Sequence, residues 1–175
     1  MAKTLKLNPE QIQEIESAVF MAVEPLLSET FYLLDVAMEQ EGGRWYLRIY
    51  VDKPGDVVSL DDCEAISLQA EKELDQLSIL NTTNTSYVLE ESSPGLFRTL
   101  RKSRELTYNK GQPVKVTPLP RTKVKPPINS GILGDYNLES HTVVIQPNNS
   151  TPVLINLSEK QFSIQLNPDI KFPED

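Results

Sequence analysis

The sequence predicts an α+β protein: an N-terminal α-β-β-α-β domain, with two helices on a three-stranded sheet, followed by a small all-β barrel. Three observations predict it. Two apolar stripes at three- and four-residue spacing mark helices, and a strongly alternating pair of runs marks a hairpin between them. Beyond Gly111 the chain changes to brief β-branched runs separated by Pro, Gly and Asn.

The first helix opens at Asn8-Pro9-Glu10-Gln11, with Asn at the N-cap, Pro at N1 and Gln at N3. Ile12, Ile15, Val19, Phe20, Val23, Leu26 and Leu27 form its apolar face, with Glu10, Glu14, Glu16 and Glu24 mostly off it. Pro25 removes a backbone donor, so the helix kinks or ends there. Phe31 to Glu39 then reads as a strand, with Leu34, Val36 and Met38 on one face and Asp35 on the other.

After a turn at Gln40 to Gly43, Arg44 to Asp52 alternates Trp45, Leu47, Ile49 and Val51 against Arg44, Tyr46, Arg48, Tyr50 and Asp52. Tyr46, Arg48 and Tyr50 have the chemistry to stack on and contact RNA bases; a solvated sheet face is the plainer alternative. Ser59-Leu60-Asp61-Asp62 caps a second helix, and the adjacency of the two carboxylates suits capping rather than a shared proton. Cys63, Ile66, Ala70, Leu74 and Leu77 continue its stripe. Ser78 to Thr85 reads as a polar linker into a third strand starting at Tyr87.

That strand breaks at Ser92-Ser93-Pro94-Gly95, a tight polar turn, and Arg98, Arg101, Lys102 and Arg104 follow. A linker over 93–110, holding a short helix at Ser103 to Tyr108, separates a domain at 1–92 from one at 111–170; 171–175 forms a frayed tail. The second domain carries five expected strands: Val114–Thr117, Gly131–Leu133, Thr142–Gln146, Pro152–Asn156 and Ser163–Leu166. Five short strands with a helical turn at Ser158 to Gln161 before the last give the pattern of an SH3-like or Sm-like barrel. The loop between its first two strands, residues 118–130, is rich in Pro and Lys, too polar to pack, and expected to be mobile.

Composition narrows the function. Cys63 is the single cysteine and His141 the single histidine, so an intrachain disulfide and the common zinc sites are ruled out, and Cys/His or Ser/His nucleophile arrangements have almost no partners to draw on. Cys63 reads as a buried thiol and His141 as a solvated strand-end residue. No P-loop, GxGxxG or EF-hand pattern occurs. No run reaches the ~20 apolar residues of a membrane span, and the N-terminus lacks a secretory h-region, so a cytoplasmic protein is expected. The net charge of −8 is uneven: 98–125 holds nine Lys/Arg against one acid, Glu105. Such a basic stripe suits phosphate, while the acidic remainder argues against uniform coating by nucleic acid.

Taken in this order, the chain resembles the bacterial ribosome maturation factor family RimP. The resemblance is carried by Leu34-Asp35-Val36, by Trp45 to Asp52, by Leu60-Asp61-Asp62-Cys63, by Tyr87 to Glu90, by Ser92 to Leu96 with Arg98 and Leu100, and by Gly111 with Val114-Lys115-Val116. Phe97 and Thr99 depart from the acid and the Pro that the family usually places there. The resemblance implies a non-enzymatic, cytoplasmic two-domain factor, without cofactor or metal, that binds the immature small ribosomal subunit and assists its assembly. A monomer that contacts ribosomal protein or RNA and no membrane is the expectation. The expected contacts are Ser92, Ser93, Pro94, Gly95, Arg98, Arg101, Lys102 and Arg104, with Arg48 and Tyr50 on the sheet. A turn that merely sets a domain angle, flanked by solvated cations, is the alternative reading of that stretch. The alternative function is a stand-alone RNA-binding module, which would bind naked RNA with a steep salt dependence; an enzyme ranks third, because no metal-binding carboxylate set accompanies Ser92, Ser93 and Arg98.

Overall fold

The computed structural model describes residues 6–83, 85–93, 95 and 97–169. The chain divides into two compact units, Met1–Pro94 and Gly95–Asp175, each with its own apolar core.

In the first unit, helix α1 (Pro9–Val23) starts from Asn8, whose side chain accepts from the Gln11 amide while Gln11 returns a bond to the Asn8 amide. It gives way at Glu24–Leu26 to a single 3₁₀ turn holding Pro25. Strands β1 (Tyr32–Glu41) and β2 (Arg44–Asp52) form an antiparallel hairpin, and β3 (Tyr87–Ser92) joins β2 in parallel, giving the order β1-β2-β3. The connection from β2 to β3 carries helix α2 (Leu60–Leu74), capped by a reciprocal Ser59–Asp62 box, and a short helix α3 (Ser78–Thr82). The expected polar linker at Ser78 to Thr85 is therefore helical at its start, because Leu80 buries itself in the core and Ile79 packs against it.

Ile15, Val19 and Val23 of α1 and Ile66, Ala70 and Leu74 of α2 pack on Leu33, Val36, Met38, Leu47, Ile49 and Val51 of the sheet. The face expected for β1 needs one correction. Leu33, not Leu34, shares the core face with Val36 and Met38, since a bulge between Leu33 and Asp35 shifts the register there. One extra residue in a strand of period two moves every later side chain to the opposite face. Glu16, expected off the helix's buried face, is buried instead; its carboxylate accepts from the Met38 amide at 3.0 Å, on the edge strand of the sheet. An edge strand has backbone groups without a ladder partner, and this carboxylate satisfies one of them.

The second unit is built on strands β4 (Thr99–Leu100), β5 (Pro113–Pro118), β6 (Ser130–Asn137), β7 (Thr142–Gln146), β8 (Val153–Asn156) and β9 (Phe162–Leu166), with helix α4 at Ser103–Tyr108. They make one antiparallel sheet in the order β4-β9-β5-β6-β7-β8. Among the described residues no ladder joins β8 to β4, so hydrogen bonding does not close this sheet into a barrel. The stretch expected as linker differs most: Thr99–Leu100 pair with Gln165 and Ile164, and Leu100 and Leu106 belong to the second core. Apolar residues of a short segment bury wherever a sheet edge offers them cover. Ser158 to Gln161 forms a turn rather than a helical turn, closed by a Lys160 amide to Leu157 carbonyl bond, with Lys160 at φ 49°. Gly131 lets β6 approach β7 closely: a Cβ there would lie 2.5 Å from Ile145 Cγ2 and 2.7 Å from the Gln146 carbonyl oxygen. The tail at 171–175 lies outside the described residues.

Candidate functional site

Arg48, Tyr50 and Ser92 come together on one face of the first sheet. The β2–β3 register sets Arg48 beside Glu90 and Tyr50 beside Ser92, and the β1–β2 register sets Arg48 beside Ala37. This face is opposite the one that packs on the helices, because the neighbours Leu47 and Ile49 alternate into the core. Tyr46 and Tyr50 are half-buried.

Arg48 is enclosed by acid. Its Nη1 donates to Glu39 Oε2 and to Glu41 Oε1, each at 2.6 Å, its Nη2 to Glu41 at 3.0 Å and its Nε to Glu90 at 2.8 Å. The guanidinium also lies 5.0 Å from the centre of the Tyr46 ring. The hydrogen bonds it donates to Glu41, Glu90 and Glu39, in that order of effect, raise its already high pKa. Glu41 in turn is lowered below the usual carboxylate range, chiefly by its bond to Arg48. Three carboxylates around one cation leave the patch negative. The strand alternation finds Arg48 but not its three partners, which come from β1 and β3 and meet only when the sheet forms.

The other candidate cations belong to the second unit and gather around Glu105, which has 0% of its surface exposed. The Nε of Arg98 donates to Glu105 Oε1, and the Arg98 side chain is only 10% exposed. Glu105 Oε2 accepts from the amides of Arg101 at 2.8 Å and Lys102 at 3.1 Å. These amides open α4, where helix geometry leaves donors without carbonyl partners, so one carboxylate satisfies the helix start and pairs with a guanidinium. Asn109 closes the other end, donating its side-chain amide to the Glu105 carbonyl at 2.8 Å. The one acid of the basic stretch is thus its structural centre. Arg101 is exposed, while Lys102 and Arg104 are half-buried.

Of the turn, Ser92 and Ser93 are exposed, the Ser92 hydroxyl donating to the Ser93 carbonyl at 2.9 Å. Gly95 is exposed at φ +72°, a conformation that disfavours any side chain. Pro94 lies outside the described residues. Ser92 and Ser93 belong to the first unit; Gly95 and the four cations belong to the second.

Cys63 on α2 is half-buried rather than buried, and its thiol pKa is raised first by loss of solvent, then by Glu91 and Asp62. His141 sits at φ 50° with its Nδ1 2.9 Å from the Tyr136 hydroxyl. Among the described residues no cluster of three His, Cys, Asp or Glu has metal-site geometry, and no helix is long and apolar enough to cross a membrane.

A three-stranded sheet covered by two long helices on one face, with a charged and aromatic opposite face, defines an α+β unit, and a second, antiparallel unit follows it in the chain. Residues 22–97 match the family model described as the RimP N-terminal domain. Over those residues, fewer than half of the chain, the protein is similar to the N-terminal domain of RimP proteins.

Proposed function

We propose that this protein binds the immature small ribosomal subunit in the cytoplasm, as a monomer, and assists its assembly by recognition alone, with no cofactor. The observation that carries the reading, beside the family domain, is the separation of charge between the units. Residues 1–94 hold eighteen Asp/Glu against six Lys/Arg, and residues 95–175 hold eleven Lys/Arg against seven Asp/Glu. A maturing ribosomal subunit offers phosphate and basic protein side by side, and a chain with one acidic and one basic unit complements each.

On this reading the acidic face around Arg48, with Tyr50, meets a basic protein surface, while Arg101, Lys102 and Arg104 meet phosphate or an acidic edge. Ser92 and Ser93 offer hydroxyls, and Gly95 a bare backbone, to a partner's backbone. Arg48 and Arg98 contribute by holding their surfaces in shape, since their guanidiniums are engaged internally. The second unit acts as an SH3-like barrel whose sheet is left open.

Co-sedimentation of the purified chain with free small subunits, free large subunits and whole ribosomes tests the reading. Pelleting with small subunits alone is expected, and Arg101→Glu with Lys102→Glu weakens it about tenfold or more, since reversing two charges at a phosphate contact costs more than 1.4 kcal/mol. Equal pelleting with large subunits, or none with any particle, overturns it. A stand-alone RNA-binding module would instead bind naked RNA as tightly as it binds the subunit.

A further inference from the structure

We infer that the β5–β6 loop, residues 119–129, is an RNA backbone contact that works through Arg121, Lys123 and Lys125 without reading sequence. This deepens the proposed function and rests on it for its source of RNA.

The loop is the most basic exposed feature of the second unit. Arg121, Lys123 and Lys125 are all exposed. Salt bridges in this unit include Arg98 to Glu105 and Lys110 to Asp135, and among the described residues none engages Arg121, Lys123 or Lys125. No acid occurs between Glu105 and Asp135 in the sequence, so nothing local offsets the three charges. This contrasts with Arg48, held by three carboxylates, and with Arg98, paired with Glu105.

The loop, expected to be mobile and too polar to pack, is instead tied down by backbone bonds and by Ile128. The Leu119 amide donates to the Gln161 carbonyl at 2.8 Å, the Thr122 amide to the Leu119 carbonyl at 2.9 Å, and the Val116 amide to the Asn129 carbonyl at 2.9 Å. The Val124 amide reaches Thr122 Oγ1 at 3.2 Å, and Ile128 packs against the second core. Pro118, Pro120, Pro126 and Pro127 fix φ at four more positions, and Pro126 confines Lys125 to extended backbone. Cations presented this way lose less freedom on binding than cations on a loose chain.

The chemistry selects phosphate over the other choices. Protein interfaces favour aromatic anchors and are depleted in Lys, and the loop has no aromatic residue at all. Base recognition in single strands likewise needs stacking platforms, which are absent from it. Three cations in five residues supply what backbone positioning requires and nothing that reads a base.

The test compares the full chain with its triple variant Arg121→Gln, Lys123→Gln, Lys125→Gln, and with Lys72→Gln on α2 as control. Fluorescence anisotropy with a labelled RNA duplex of about 20 base pairs should show wild-type binding weakening roughly 40-fold between about 50 and 200 mM KCl, as three neutralised phosphates dictate. The triple variant should lose that dependence and bind at least tenfold more weakly at the low-salt end, with the control unchanged. Two duplexes of unrelated sequence should bind alike. A triple variant with wild-type affinity and salt slope overturns the inference, as does a wild type that binds a polyglutamate peptide in preference to RNA. The same proteins are then pelleted with small subunits. If the wild type fails to pellet, the proposed function falls, while the anisotropy decides the loop by itself. If the wild type and the triple variant pellet with one salt slope, the loop inference falls and the proposed function stands.

Discussion

Glu105 shows how a single residue can invert the meaning of its neighbours. Its carboxylate is fully buried, yet it accepts a guanidinium and two backbone amides, so the cost of removing it from water is offset on each oxygen. Breaking such a pair from one side leaves a buried charge without compensation. Glu105→Ala is expected to destabilise the second unit by about 3–5 kcal/mol, and Arg98→Leu combined with Glu105→Leu by less than Glu105→Ala alone. Urea midpoints of the three proteins check this, and equal losses for the single and double variants would refute it. Arg98 stands in the sequence as one of four cations within seven residues, indistinguishable by type from Arg101. What separates them is an acid seven positions on, whose reach depends on the turn into α4.

At the scale of elements, the end of β3 against α2 gives a pH dependence. Tyr87 and Leu89 of β3 pack against the helix-covered core, and strand alternation carries Glu91 to the same side. Burial raises its pKa, opposed in part by a hydrogen bond from Ser67, and its Oε1 is buried without a partner among the described residues. A carboxyl whose folded pKa is raised stabilises the fold fully below its ordinary value near 4.3, and that stability is lost as pH rises through the folded value. The wild type should therefore lose stability relative to Glu91→Gln as pH climbs from about 4 toward neutrality, and the variant should be the more stable of the two at pH 7. Urea midpoints of the pair across that range measure the difference. Taking the difference between the two proteins removes the opposite contribution of Glu41, Asp56 and Asp62, whose pKa values are lowered.

The elements were legible in the sequence where local rules decide them. Asn8 and Ser59 each form the capping box that their sequence spacing announces, and the hairpin alternation of β2 matches its burial residue by residue. Legibility failed where one residue changed the count. The bulge after Leu33 is invisible in Phe31–Glu39, because a run of consecutive apolar residues fits either register. Strand β4 was equally hidden, since two residues carry no period.

At the scale of the molecule, two cores that each satisfy themselves predict two folding units. Fragments 1–94 and 95–175 are each expected to unfold cooperatively when expressed separately. Circular dichroism during urea titration measures it, and a fragment without a cooperative transition would show that its core is incomplete. The helices, the hairpin and the change to short strands after Gly111 followed from the chain alone, as did the RimP resemblance, because capping, periodicity and turn chemistry act over a few residues. Which cations are spoken for was decided only by tertiary structure. Arg48 meets Glu90 from forty-two positions away, and Arg121, Lys123 and Lys125 meet no acid at all among the described residues. Charge along a sequence is a sum, whereas an ion pair is a distance, and only the folded chain sets distances.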